Sequence, residues 1–243
     1  MRFEAIIFDF DGVLLESEFE RNQMLADLLT GLGHPTTVPE AIEHFTGLSG
    51  RDFIAQVESR IGGPLPPEFH NATRAERDRT LREGIAAVAG AVEFVRSLPP
   101  ALPRAVASSS SVRWVRTHLA HIGLTGAFGR HIYSGKEHVA RGKPAPDLYL
   151  HAARELGADI ARTVIIEDSK IGATGALASG AAVIGLAAGR HCFDGHAEML
   201  RMAGISEIAH SFDEVARLIG IDQINKYLAA NFGPPKQKED PKP

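Results

Sequence analysis

The sequence predicts an α/β protein: a parallel, doubly wound, Rossmann-like sheet with a helical domain inserted after its first strand. Three observations predict it. Short apolar runs at 3–10, 104–108, 131–134, 163–167 and 181–186 are separated by helical patterns, the alternation produced by a parallel sheet with crossover helices. The gap between the first two runs is roughly ninety residues, where an ordinary crossover needs a dozen or so, so a separate unit belongs there. Four polar segments, Asp9-Phe-Asp-Gly-Val, Ser108-Ser-Ser, Gly142-Lys-Pro and Glu167-Asp-Ser, follow or interrupt the apolar runs. All four can therefore sit at the carboxyl edge of one sheet, where open α/β folds hold ligands.

The run from Phe3 to Phe10 is short and β-branched at Ile6 and Ile7, which reads as a strand buried on both faces. Gly12 ends it. Within the gap, Glu16 to Leu32, Pro39 to Phe45, Arg51 to Ile61 and Pro67 to Val88 have helical spacing, broken by Gly31, Gly33, Pro35, Gly62-Gly-Pro64 and Pro66-Pro67. Residues 16–86 are expected to form a helical cap domain, with 1–15 and 87–232 forming the α/β core. After the strand at Arg104–Ser108, Val112 to His121 reads as a helix packed on the sheet, Trp114 included. The tail 233–243 has no apolar residue to bury and is expected to be disordered.

With 243 residues, 44% of them apolar, the chain can build a sizeable core. A net charge of -4 and a pI near 6.3 exclude general attraction to nucleic acid or to an anionic membrane surface. A single cysteine, Cys192, excludes an internal disulfide framework and fits a reducing compartment. Asp9 and Asp11 interrupt the first apolar run, and no stretch approaches the roughly 20 apolar residues of a membrane span. The expectation is a cytoplasmic protein without nucleic-acid or membrane partners, monomer or dimer.

Residues two apart on an extended strand project to one side, so Asp9 and Asp11 are expected side by side unless the chain turns there. Paired carboxylates repel, and a hard divalent cation such as Mg²⁺ keeps them ionised while holding substrate phosphate. Glu167 and Asp168 supply the opposite wall of that site. Phosphoryl transfer needs an in-line nucleophile, charge neutralisation and a proton donor for the leaving group. Asp9 is the expected nucleophile, forming an acyl phosphate that water hydrolyses, and Asp11 the general acid and base. Ser108, with Ser109, Ser110 and Gly12, is expected to hold phosphate oxygens, and Lys143 to balance charge on Asp9 and the transferred group. Taken alone, each segment has a plainer reading as a turn, a solvated loop or a helix N-cap. Their order and strand context favour the chemistry.

These segments together resemble the haloacid dehalogenase-like hydrolase superfamily, in the branch with a small helical cap that includes the β-phosphoglucomutase-like phosphatases. The resemblance covers residues 3 to 220. It implies a strand order of 3-2-1-4-5, Asp9 as nucleophile, Asp11 as acid/base, and phosphate or charge roles for Ser108 and Lys143. The implied Mg²⁺ ligands are the Asp9 side chain, the Asp11 carbonyl, Glu167 and Asp168.

Founding members of that superfamily cleave carbon–halogen bonds and lack the second aspartate, so Asp11 argues against a dehalogenase. The first lysine of the chain is Lys136, which excludes a Schiff base from a cap lysine. Gly47-Leu-Ser-Gly-Arg51 resembles a mutase cap loop in which the arginine directly follows the serine; here Gly50 intervenes, and Arg51 is the candidate for a second substrate phosphate. Glu16 stands where many relatives carry aspartate. Arg74, Arg77, Arg79 and Arg82 read as a solvated helix face, Glu76 with Arg79 and Asp78 with Arg82 being helical pairs. His191-Cys192-x-x-x-His196 is an incomplete zinc set and reads as a structural or substrate-gating loop. The expected activity is a Mg²⁺-dependent phosphatase acting on a small phosphorylated metabolite, a sugar phosphate or related acid phosphate. A phosphosugar mutase is the alternative, and a catalytically idle binding module the third.

Overall fold

The computed structural model describes residues 3–46, 48 and 50–221. The expectations for 222–243, the end of the core and the tail, lie outside the described residues, as do Gly47 and Ser49.

Strand β1 (Ala5–Phe8) is followed by four helices, α1 (Ser17–Gly31), α2 (Val38–Phe45), α3 (Gly50–Ile61) and α4 (Pro67–Glu83). Then come α5 (Ala91–Ser97), β2 (Arg104–Ser108), α6 (Val112–His121), β3 (Ile132–Ser134), α7 (Asp147–Leu156), β4 (Thr163–Glu167), α8 (Lys170–Ala178), β5 (Ala182–Leu186), α9 (His196–Met202), β6 (Glu207–Ala209) and α10 (Phe212–Ile219). The six strands form one parallel sheet in the order β3-β2-β1-β4-β5-β6. This contains the implied 3-2-1-4-5 order and extends it by an edge strand that the sequence reading lacked.

Because side chains alternate along a strand, β1 feeds both faces of the sheet. Ile6 and Phe8 join Val106, Val164, Ile166 and Ile184 beneath α5, α6 and α10, where Phe8 meets Phe94 and Phe128 edge-on at 6.1 and 5.8 Å. Ile7 joins Ala105, Ala107, Ile165 and Val183 beneath α7, α8 and α9. Small residues on that second face let Leu148, Tyr149 and Ala152 of α7 press close to the strands. With both faces covered, the sheet is the buried, near-continuously apolar kind.

Helices α1 to α4 bury a cluster of their own, Leu25, Leu29, Phe45, Val57 and Phe69. Helix α2 is started by a capping box, in which Thr37 and Glu40 satisfy each other's backbone N–H groups. Two chain segments join these helices to the sheet, and they run side by side: Glu16 N donates to Ala86 O at 2.9 Å and Val88 N to Leu14 O at 3.2 Å. The sequence reading carried the fourth helix to Val88. It ends at Glu83, because Gly84 takes a φ of 85° that closes the helix, and residues 86–88 spend their hydrogen bonds on the incoming segment. No helix among the described residues is long and apolar enough to cross a membrane.

Candidate active site

The four polar segments meet at the carboxyl edge of the sheet. Asp9 follows β1, Ser108 ends β2, Glu167 ends β4 with Asp168 beyond it, and Lys143 lies on the connection from β3 to α7. Asp9, Glu167 and Asp168 are buried, with one carboxylate oxygen of each within 4.8 Å of the others.

Lys143 sits inside this cluster. Its Nζ lies 2.7 Å from Asp9 Oδ1 and 2.6 Å from Glu167 Oε1, and all three side chains are almost wholly buried. Glu167 is held from every side: Tyr149 Oη donates to Oε1 at 2.6 Å, while the backbone N–H groups of Asp168 and Ser169 and the Ser169 hydroxyl donate to Oε2. Ser169 also caps α8 by accepting from Gly172 N. Burial raises the Asp9 carboxyl well above the ordinary carboxylate range; Lys143 opposes the rise, and Glu167, Asp168 and Asp11 add to it. Burial works against the charge on Lys143, but Asp9 and Glu167 outweigh it and hold its pKa well above the usual lysine value. The Tyr149 hydroxyl is raised by burial and then by the Glu167 charge.

Asp9 and Asp11 do not point together. Strand β1 ends at Phe8 and the chain turns, with Gly12 N donating to Leu15 O and the N–H groups of Leu14 and Leu15 both donating to Phe10 O. The turn carries the Asp11 carboxylate toward β2 and α6. There Oδ1 accepts from Ser17 Oγ at 2.7 Å and from the Trp114 indole at 3.0 Å, and Oδ2 accepts from Ser110 Oγ at 2.7 Å and Ser108 Oγ at 3.2 Å. Ser17 is the first residue of α1, so the donors come from both the inserted helices and the sheet domain. Gly12 sits at the tightest point, with a φ of 83°; a Cβ there would lie 2.1 Å from Asp168 Oδ2, so only glycine fits.

The other sequence candidates fall as follows. Ser108 is fully buried, its hydroxyl accepting from Ser110 N at 2.9 Å; Ser109 is exposed. Arg51 is exposed on the first turn of α3, and among the described residues no contact joins it to the carboxylate cluster. Arg79 is held by Glu76 and Glu83, as on a solvated face, while Asp78 lies nearer Arg77 than Arg82. Trp114 does pack against the core, yet its indole reaches Asp11. Tyr149 escaped sequence reasoning, and the His191–His196 loop, read as structural or substrate-gating, reaches Asp168. Tyr149 holds Glu167; His191 places Nε2 2.9 Å from Asp168 Oδ2; His196 donates from Nε2 to Asp168 O at 2.8 Å. Burial lifts the Asp168 carboxyl to about 6 against the pull of His191. Burial opposes charge on His191, but its contacts with Asp168 and Cys192 outweigh that and carry it to about 11.

The donor set fits a hard divalent cation. Three buried carboxylates face one ammonium and one imidazole, an excess of negative charge within a site whose burial already raises Asp9. Asp168 Oδ1 is buried with no hydrogen-bond partner, a vacancy in its bonding that a metal ion would fill. All the donors are oxygens, the ligands that Mg²⁺ takes.

Residues 6–186 match the haloacid dehalogenase-like hydrolase family. A conserved haloacid dehalogenase-like protein of unknown function from Agrobacterium tumefaciens superposes with a TM-score of 0.82 at 35% identity, over 91% of this chain and 99% of the other. A HAD family hydrolase from Deinococcus radiodurans, with bound phosphate and sodium, gives 0.80 at 33% identity, over 91% and 97%. Hexitol phosphatase A of Escherichia coli is 28% identical over 221 residues, covering 88% of this chain and 94% of its own.

Proposed function

The chain belongs to the haloacid dehalogenase-like hydrolase family, and we propose that it is a Mg²⁺-dependent phosphatase that releases phosphate from a small phosphorylated metabolite through an aspartyl-phosphate intermediate. The observation that carries this reading is the buried triad of Asp9, Lys143 and Glu167 beside Asp168. It offers a carboxylate nucleophile at the sheet edge with a cation against it.

In this reading the Asp9 and Asp168 side chains and the Asp11 carbonyl would hold Mg²⁺; Glu167, implied by the resemblance as a further ligand, instead serves the cluster by fixing Lys143, because both of its oxygens already accept from Lys143, Tyr149 and the Asp168 and Ser169 donors. When bound, the ion neutralises charge on the phosphoryl oxygens. An Asp9 carboxylate oxygen attacks phosphorus in line, forming an acyl phosphate and breaking the bond to the leaving oxygen. Lys143 opposes the rise that burial imposes on Asp9, favouring its ionised form before attack, and balances the charge on the transferred group. Asp11 gives its proton to the leaving oxygen, exchanging one of its four donors for it, and then takes a proton from the water that attacks the acyl phosphate. The Ser108–Ser110 turn, with its N–H groups at the start of α6, receives phosphate oxygens. Residues 16–86, joined to the sheet domain through the paired segments at 14–16 and 86–88, act as a cap that excludes bulk water.

The hexitol phosphatase relative supports a sugar or sugar-alcohol phosphate as the substrate class. A mutase would need a cation that grips a second phosphate, and Arg51 stands apart from the cluster among the described residues. The single Cys192 supports a cytoplasmic setting. The test is phosphate release from a panel of sugar, sugar-alcohol and acid phosphates, with Mg²⁺ or with EDTA. Release that requires Mg²⁺ is expected. Release that persists in EDTA refutes the metal, and silence across the panel refutes the phosphatase.

A further inference from the structure

We infer that His191 and His196 are positioning residues that clamp Asp168 with one oxygen free for the metal, so that the loop after β5 sets the enzyme's affinity for Mg²⁺. This rests on the reading of the carboxylate cluster as a divalent-cation site.

The clamp works on both parts of Asp168. The His191 Nε2 sits 2.9 Å from Oδ2 of the side chain, and the His196 Nε2 donates to the backbone carbonyl at 2.8 Å. Oδ1 remains, buried and without a partner. A carboxylate gripped on one oxygen and at its main chain presents the other in a fixed direction, which is how outer partners orient metal ligands.

The loop is built around this contact. His191 and His196 are 0% and 2% exposed, and each keeps an Nδ1 with no partner. Burying an imidazole with a ring nitrogen unsatisfied is unfavourable, and the shortest polar contact each ring gains goes to Asp168. Two glycines make room for the His191 ring: a Cβ at Gly189 would come within 2.6 Å of it, and one at Gly12 within 3.1 Å. Arg190 N anchors the loop to Glu16 Oε2 at 2.9 Å, and the guanidinium lies 3.6 Å above the Phe19 ring of α1. The two imidazoles meet at a ring distance of 5.4 Å, nearly perpendicular.

One competing reading exists. His191, Cys192 and His196 bring one donor atom each within 4.8 Å of the others, a spacing that a softer metal could use. The His191 Nε2 lies 2.9 Å from Asp168 Oδ2 against 3.9 Å from Cys192 Sγ, and the His196 Nε2 donates to Asp168 O, which favours the clamp.

The test is calorimetric titration of Mg²⁺ into the metal-stripped, full-length protein. His191→Leu and His196→Leu are expected to weaken Mg²⁺ binding by about 10- to 100-fold. His191→Gln keeps an N–H donor and is expected to recover most of the affinity, and Asp168→Asn to lose it. If His191→Leu does not fold, His191→Asn, too short to reach Asp168, carries the same expectation. Leucine variants within twofold of wild type, with Asp168→Asn deficient, overturn the clamp and leave the metal site standing. A wild type that binds no Mg²⁺ overturns the metal reading and the clamp with it. Zn²⁺ bound more tightly than Mg²⁺, and lost in Cys192→Ser, overturns the clamp in favour of a separate metal site.

Discussion

Replacing Lys143 with methionine keeps most of the side-chain volume and removes the only ammonium among the described residues within the carboxylate cluster. Its Nζ lies 2.7 and 2.6 Å from Asp9 and Glu167, and all three side chains are at most 10% exposed. Breaking a buried pair by deleting one partner costs about 3–5 kcal/mol, because the remaining charge is left uncompensated. For a chain of this size each kcal/mol moves the melting temperature by roughly 2–4 °C, so Lys143→Met should melt about 6–20 °C lower in metal-free buffer by calorimetry. Asp9 is already raised by burial, and without the ammonium it rises further. Protonation then relieves the defect, and the deficit should shrink as pH falls. Adding Glu167→Gln to Lys143→Met removes the second charge and should restore much of the loss. A single variant melting within 2 °C of wild type would refute the charged triad.

Trp114 is the only tryptophan, and Trp114→Phe deletes the indole donor to Asp11; hydrogen bonds to charged groups contribute about 1.5–3 kcal/mol, so urea unfolding followed by circular dichroism should show a loss in that range. An unchanged midpoint would mean that the serines alone hold Asp11. His118 is fully buried, and burial holds its pKa below the ordinary value of 6.5. It therefore takes up a proton less readily in the folded protein than in the unfolded chain, and its own contribution to stability falls as pH drops below 6.5. His118→Gln does not titrate, so its stability deficit against wild type should narrow between pH 7.5 and pH 5; a constant gap would contradict the assignment.

Five strands were legible to within two residues at either end because a strand buried on both faces writes an uninterrupted apolar run. β6 was not, since a three-residue edge strand beginning at the exposed Glu207 writes no such run. The overrun of α4 has a similar cause: Ile85 and Val88 continue the apolar pattern, and only pairing with 14–16 shows that they belong to the connection. At the site, Asp9, Ser108, Lys143 and Glu167 were readable because each sits in a short polar string at a strand end. Tyr149 was not, nor were the contacts by which Trp114, His191 and His196, read as packing or loop residues, reach Asp11 and Asp168. Tyr149 lies in an apolar helix pattern, and Trp114 meets Asp11 across 103 positions of sequence. Those contacts come from the way the sheet brings its edges together, and no local spacing encodes them. The parting of Asp9 and Asp11, left open by the sequence reading, follows because the turn at Gly12 overrides the strand's alternation.

The most direct test of the central claim is Mg²⁺-dependent phosphate release by wild type and Asp9→Asn in parallel on the best substrate of the panel. Removing the nucleophile should lower turnover by at least about a thousandfold, with the melting temperature of Asp9→Asn showing that the fold persists. Turnover by Asp9→Asn within tenfold of wild type would contradict the aspartyl-phosphate mechanism.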